Sequence, residues 1–371
     1  MPRAAGEPKS FAKGLLAHLI LVPAWLTGPS LLAVGLVALC RSLGGSLALL
    51  TVPLSCAVTA QLINTANMRQ RLPLCALLLA TGCWCSSSER RAAGISAAAF
   101  ITALAFLCKG GKGDWARRPG VRAFIFNWCC DFYDRAELRG DLGSIRKEKS
   151  CFAFHPHGCL SAGWTINGVC NPDFLKIAGK TRWLVDFNTR YKNPTFRWFC
   201  EATATDEGAI DAVDKKTINK VLESGANWGL IPGGFQDAVA HRFGKDCTVF
   251  RHRKGFVKYC LQYGYRLHPV YTFGESETYY TFTGLRKMRM KASEQNIPMV
   301  AFFGWPFLPV LPRPQARLLT YVGPGIDLPH IPEPSNEDVE RWHGEYTRAL
   351  TKLFDSHRAE AGWPEAVLEV V

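Results

Sequence analysis

The chain has 371 residues, 48% of them hydrophobic, and a net charge of +13; it is too apolar for a disordered tail and basic enough to favour an anionic partner. No zinc-finger spacing, recognition-helix pattern or RNP-like run accompanies the charge, so nucleic acid is set aside in favour of an anionic membrane surface or a polyanionic ligand. The fourteen cysteines show neither metal-ligand spacing nor a disulfide framework, so no metal site is expected and a reducing compartment is.

Charged residues are sparse from Leu15 to Cys108 and frequent afterwards. This divides the chain into a tail (1–14), a hydrophobic region (15–108) and a mixed domain (109–371). Leu15–Cys40 and Leu43–Ile63 are each long enough, at 1.5 Å per residue, to cross ~30 Å of hydrocarbon. The short Arg41-Ser42 linker makes them a tight helical hairpin, kinked at Pro23, Pro29 and Pro53. Leu72–Ser88 and Ala92–Cys108 follow. Were both to cross, Arg90 and Arg91 would lie opposite Arg69, Arg71, Lys109 and Lys112, against the positive-inside tendency, so a shallow or re-entrant pair is expected.

From Ser150 onward, strands and helices alternate. Cys151–Phe154 reads as a strand ending at His155, and Arg182–Phe187 as a second. Ile210–Ser224 has helical spacing closed by Gly225. Trp228–Ile231 is a strand running into Pro232-Gly233-Gly234. Lys254–Tyr263 is a helix stopped by Gly264. Arg266–Phe273 and Leu318–Val322 are later strands. Ser335, with Asp338 three residues on, opens a last helix whose apolar stripe runs from Val339 to Phe354. Strands alternating with helices imply an α/β layered domain.

His155-Pro156-His157-Gly158 is the strongest local signal. Two histidines at the carboxyl end of a strand sit where α/β domains place active-site loops, and a neutral imidazole can take a proton from a hydroxyl. Pro232-Gly233-Gly234 forms a second strand-to-loop corner whose amides are suited to an oxyanion. Arg251, Arg253 and Lys254 gather positive charge before a helix, as a polyanionic ligand requires. Cys159-Leu160-Ser161-Ala162-Gly163 lacks the first glycine of a nucleophile elbow, which disfavours a serine hydrolase.

In this order, the segments His155-Pro156-His157-Gly158, Pro232-Gly233-Gly234, Arg251 to Lys258, His268-Pro269-Val270 through Phe273-Gly274-Glu275, and Glu337-Asp338-Val339 through Asp355 with His357 resemble the type-2 diacylglycerol acyltransferase family. That family includes monoacylglycerol and wax-alcohol acyltransferases, and the resemblance covers about residues 120–371. It implies a membrane-anchored α/β acyltransferase domain preceded by a hydrophobic helical hairpin. The implied setting is the endoplasmic-reticulum membrane or the lipid droplet, multi-pass, with the catalytic part facing the cytosol. It further implies acyl-CoA as donor, bound at Arg251, Arg253 and Lys254, and no metal or redox cofactor. The acceptor is diacylglycerol, with monoacylglycerol or a fatty alcohol as alternatives, and a non-catalytic lipid-binding protein of the same fold as the rival from another class. Membrane lipids are expected partners, and the sequence is compatible with a homo-oligomer. His155 or His157 becomes the base, in either order, with Gly158, Gly233 and Gly234 shaping the loops. Three departures stand out. Asp237 replaces the family's usual glutamate, so a carboxylate that orients a histidine has to sit closer. Gly304 to Pro312 is an apolar, proline-rich stretch suited to line a lipid tunnel. The hydrophobic region exceeds a single hairpin.

Overall fold

The computed structural model describes residues 8–25, 119–206, 208–295 and 299–371. The predicted span Leu43–Ile63, the pair formed by 72–88 and 92–108, and the first run beyond Trp25 lie outside the described residues. Two compact units divide the chain, one of residues 1–22, 117–190 and 202–371, the other of 23–116 and 191–201. In the smaller unit Trp25 packs on Phe196 and Phe196 on Phe199, with ring centroids 4.6 and 6.1 Å apart.

The described helices are α1 (Phe11–Trp25), α2 (Pro119–Trp128), α3 (Pro172–Ala178), α4 (Phe187–Lys192), α5 (Pro194–Thr203), α6 (Lys215–Glu223), α7 (Gly234–Ala240), α8 (Gly255–Tyr263), α9 (Arg286–Glu294) and α10 (Asn336–Ala361). Among the described residues, no helix is long and apolar enough to cross a membrane. The described part of the first apolar run instead shows one buried face, with His18 stacked on Phe132 at 4.1 Å.

The larger unit is built on an eight-stranded sheet. Its strands are β1 (Arg135–Gly140), β2 (Ser150–His155), β3 (Thr181–Val185), β4 (Gly208–Ala212), β5 (Asn227–Leu230), β7 (Arg266–Phe273), β10 (Arg317–Val322) and β11 (Ile326–Asp327). The order is β1-β10-β7-β2-β5-β3-β4, with β11 also pairing β7. Four short strands pair apart from it, β6 (Cys247–Thr248) with β12 (Glu369–Val370), and β8 (Tyr280–Thr281) with β9 (Phe302–Phe303). The predicted α/β layering is therefore present.

The central strands β7, β2, β5 and β3 run parallel, so their carboxyl ends share one edge. The chain leaves β5 on one side of β2 and returns as β7 on the other. Such a reversal opens a crevice at the carboxyl edge, where α/β proteins bind ligands. Both faces of β2 are covered, so the strand carries apolar residues continuously rather than alternately. Cys151 and Ala153 face a core built with Val257, Cys260 and Leu261 of α8 and Tyr346, Leu350 and Phe354 of α10. Phe152 and Phe154 face the other way, against Phe174 and Trp183.

One expectation fails in part. Ile210–Ser224 is not one helix but β4 followed by α6. Ile210 and Ala212 alternate into the core as β4 pairs with β3, and Asp214 then caps α6 by accepting from Thr217 N–H. The aspartate was the available start signal, but the helical spacing of the apolar residues hid it. The last helix begins as expected, with Ser335 and Asp338 forming a reciprocal capping box.

Candidate active site

Strand alternation decides the fate of the first histidine. Residues 151, 153 and 155 share one face of β2, so His155 points into the α8–α10 core rather than into the crevice. It is 0% exposed, and Phe250 lies 4.7 Å from its ring. Both ring nitrogens are engaged, Nδ1 with Thr248 Oγ1 at 2.8 Å and Nε2 with Tyr346 Oη at 2.7 Å. Burial, with nearby His343 adding to it, pushes its pKa down to about 3.

His157 lies beyond the strand, after the cis His155–Pro156 bond, and remains partly exposed. Its Nδ1 is 3.1 Å from Gly158 O, which assigns the proton to Nδ1 and leaves the lone pair on Nε2. Ser161 Oγ is 3.2 Å from Nδ1 and 3.1 Å from Nε2, hence opposite the Cε1 edge rather than in line with either nitrogen. Desolvation lowers the His157 pKa to about 4, so the ring is neutral at neutral pH and its Nε2 carries a lone pair.

Asp237 reaches this loop from the first turn of α7. Its carboxylate accepts from the His157 backbone N–H at 3.1 Å, from Thr248 Oγ1 at 3.1 Å and from Val249 N–H. The expected contact with a histidine ring is not made. Asp237 meets His155 only through Thr248, giving a buried line of donors: Tyr346 O–H to His155 Nε2, His155 Nδ1–H to Thr248, Thr248 O–H to Asp237. Burial raises the Asp237 pKa to about 6, against the lowering by its N–H and hydroxyl donors and by Arg253.

The two glycines of the second corner act differently from expectation. A Cβ on Gly233 would lie 2.3 Å from Asp237 Cγ, so glycine there makes room for the carboxylate. The Gly234 N–H bonds Ile231 O at 3.2 Å in the turn and is not presented to an oxyanion.

Glu275 stands in the Phe273-Gly274-Glu275 segment, to which the sequence alone assigns no role. It follows β7, at the same sheet edge, and is 1% exposed. It accepts from Ala162 N–H at 3.0 Å and Gly163 N–H at 2.6 Å, while a Cβ on Gly158 would fall 2.2 Å from its Oε1. Burial raises its pKa to about 7, with the two amides opposing the rise. The geometry also removes the serine-hydrolase alternative. Ser161 is fully buried, and the amide a nucleophile elbow would offer to an oxyanion, Ala162 N–H, is held by Glu275. Thr248, Tyr346 and Glu275 were not nominated because each stands far in sequence from the residue it supports. Glu275 alone had a signal, the Phe273-Gly274-Glu275 turn after a central strand.

The cationic residues lie before α8. Arg251 donates to Val370 O at 2.9 Å, Arg253 Nε to Gln236 Oε1 at 3.3 Å, and Lys254 pairs with Glu340. Arg251 and Arg253 are exposed, and Arg253 stands closest in charge to Asp237. Gly304–Pro312 forms a surface turn in which Phe307 is 81% exposed; it does not line a tunnel among the described residues.

The buried groups set a pH dependence. His155, His157, His241 and His268 have pKa values lowered to about 3 or about 4, so their stability contribution is full above pH 6.5 and is lost as the pH falls through that range. Asp237 and Glu275, raised to about 6 and about 7, act oppositely, losing their contribution as the pH rises. The lowered histidines outnumber the raised carboxylates, so stability should fall as the pH drops from 6.5 to 5. The unfolding midpoint in detergent, followed by tryptophan fluorescence, should drop over that interval; a rising midpoint would show that the carboxylates dominate.

The chain is similar in sequence to several known proteins. Diacylglycerol O-acyltransferase 2 of Dictyostelium discoideum is 31% identical over 229 residues, 57% of this chain and 67% of that protein. The Xenopus laevis protein of the same name is 29% identical over 278 residues, 70% of this chain and 73% of that protein. Human acyl-CoA wax alcohol acyltransferase 1 is 30% identical over 275 residues, 68% of this chain and 81% of that protein. No solved structure matches the chain. A family model described as diacylglycerol acyltransferase matches residues 99–371, which takes in both histidines, both carboxylates and the cationic cluster, and the chain therefore belongs to the diacylglycerol acyltransferase family.

Proposed function

We propose that the chain transfers a fatty acyl group from coenzyme A to the free hydroxyl of diacylglycerol, with His157 as general base. One observation carries the choice of His157: its Nε2 lone pair lies on a partly exposed ring, whereas both nitrogens of His155 are engaged in the core. Nε2 takes the proton of the acceptor hydroxyl as that oxygen attacks the thioester carbonyl. The tetrahedral intermediate collapses, the C–S bond breaks, and the sulfur leaves with the proton that His157 carries. A positioned base contributes roughly 10²–10⁴ in rate. Asp237 and Glu275 are positioning residues that hold the backbone on either side of the base. The names of the relatives support diacylglycerol as acceptor, and the human wax-alcohol relative keeps a fatty alcohol as the alternative.

Microsomes from a yeast unable to make triacylglycerol, expressing this chain and given labelled acyl-CoA with each acceptor, test the reading. Label in triacylglycerol supports it. Label only in wax ester transfers it to the fatty alcohol, and no product from any acceptor sinks it in favour of a non-catalytic lipid-binding protein.

The apolar runs Leu15–Cys40 and Leu43–Ile63 support anchoring in the endoplasmic-reticulum membrane, with the catalytic part in the cytosol. The chain should stay in the pellet when microsomes are washed with alkaline carbonate, and release would remove the anchor. Arg251, Arg253 and Lys254 suit the phosphates of acyl-CoA, because guanidinium and ammonium groups pair with phosphate oxygens. Neutralising all three should raise the Michaelis constant for acyl-CoA by about tenfold and that for the acceptor by much less. A change in the acceptor constant alone would assign the cluster to the membrane or the fold.

A further inference from the structure

The turn at Gly304–Pro312 has no part in the chemistry above, yet its construction is specific. Pro306, Pro309 and Pro312 cannot donate to a sheet ladder, and the segment closes on itself instead. Gly304 N–H bonds Pro309 O at 2.8 Å, Trp305 N–H bonds Leu311 O at 2.9 Å, Leu308 N–H bonds Trp305 O at 3.0 Å, and Leu311 N–H bonds Leu308 O at 2.8 Å. Leu311 is buried at the base, and Tyr279 Oη donates to Val310 O at 3.0 Å. Four of the six amides from Gly304 to Leu311 are bonded within the loop, which projects the apolar Phe307 side chain from its tip, and few unpaired backbone donors remain to oppose contact with acyl chains.

Its surroundings are of the same character. Phe303, 52% exposed, stacks on Tyr280 at 4.9 Å, and Leu285, 64% exposed, shares a face of α9 with exposed Met288. The flanking charge has one sign. Between Thr278 and Ile326 the sequence carries six basic residues against a single acid, Glu294, and of the six Arg286, Lys287 and Lys291 are exposed, whereas Arg289 is buried. Exposed aromatic and aliphatic side chains beside unopposed cations complement an anionic lipid surface. The position fits as well. Trp305 meets Phe307 at 5.4 Å and Phe11 of α1 at 5.8 Å, and α1 continues in sequence along the apolar run Leu15–Cys40.

We propose that Phe307, with Phe303 and the Leu285–Met288 face of α9, inserts into an anionic phospholipid leaflet as a second membrane contact of the catalytic unit, separate from the N-terminal apolar region. The inference rests on the membrane reading given under the proposed function. Its occupant is a bilayer, not a protein, because the patch offers cations of one sign and an apolar tip but no groove.

The test uses the full chain carrying an environment-sensitive fluorescent amino acid at position 307, reconstituted in vesicles of phosphatidylcholine with phosphatidylserine. Flotation with the vesicles comes first; failure to float would sink the membrane reading itself and the inference with it. In a chain that floats, brominated acyl chains should quench the fluorophore by at least about twofold, and Lys287→Glu with Lys291→Glu should weaken that quenching. A floating chain whose fluorophore ignores brominated lipid would overturn the inference and leave N-terminal anchoring in place. A signal that changes with protein density but not with bromination would also overturn it, assigning the patch to contact between copies of the chain.

Discussion

His157→Ala should lower turnover by at least about a hundredfold while leaving the unfolding midpoint and membrane retention near those of the parent. The imidazole is partly exposed, its Nδ1–H is bonded to the adjacent carbonyl, and of the buried side chains only the Ser161 hydroxyl loses a ring partner, at a cost of about 1 kcal/mol. His155→Ala should also reduce activity, but by a different route. It takes one hydrogen-bond partner from Thr248 and one from Tyr346, both buried, and opens a cavity beside Phe250, at a cost of roughly 2–4 kcal/mol. The two histidines therefore separate when turnover and thermal midpoint are measured on the same preparations. Near-normal turnover in His157→Ala would remove the histidine-base mechanism. A midpoint unchanged in His155→Ala would contradict the structural role given to that ring.

Asp237→Asn should cut turnover by at least about tenfold with little change in membrane retention. The aspartate accepts from the His157 N–H, the Thr248 hydroxyl and the Val249 N–H at once. An asparagine can meet these donors with its carbonyl oxygen only, because its amide nitrogen is itself a donor. The loop that holds His157 loses its fixed position, and the Thr248–His155–Tyr346 line loses its terminal acceptor. A pH profile distinguishes this from simple loss of packing. With the Asp237 pKa raised to about 6, protonation of the parent below that value removes the same acceptor, so turnover should fall on the acid side near pH 6. The asparagine variant should lack that limb. Asp237→Glu should keep partial activity, limited by the close approach of Gly233 to the carboxylate. Full turnover in Asp237→Asn, or an acid limb unchanged by it, would show that the charge is not used.

The alternation from Ser150 onward and the sharp stops at Gly225 and Gly264 made the α/β class legible, because periodicity and turn chemistry are local properties of the chain. β7 appears over the predicted residues Arg266–Phe273, and α10 begins at the predicted cap. β4 was missed because a short strand running into a helix can imitate helical spacing when its few apolar residues fall three apart. The candidate loops are legible in the sequence because proline and glycine interrupt the periodicity where strands end, at His155–Gly158 and at Pro232–Gly234.

By itself the sequence determined the layered domain, the order of its main elements, the resemblance to an acyltransferase family and the candidate loops at the strand ends. What only the tertiary structure decided is which groups face one another. Sequence spacing leaves His155 and His157 equivalent, but the pleat of β2 turns the first into the core, while the chain beyond the strand keeps the second at the crevice. Likewise, Glu275 becomes a neighbour of Gly158 only because β7 pairs beside β2, and Thr248 and Tyr346 join His155 from 93 and 191 residues away. Strand order and helix docking are set by the burial of the whole apolar surface, a property of the folded chain that no local stretch encodes.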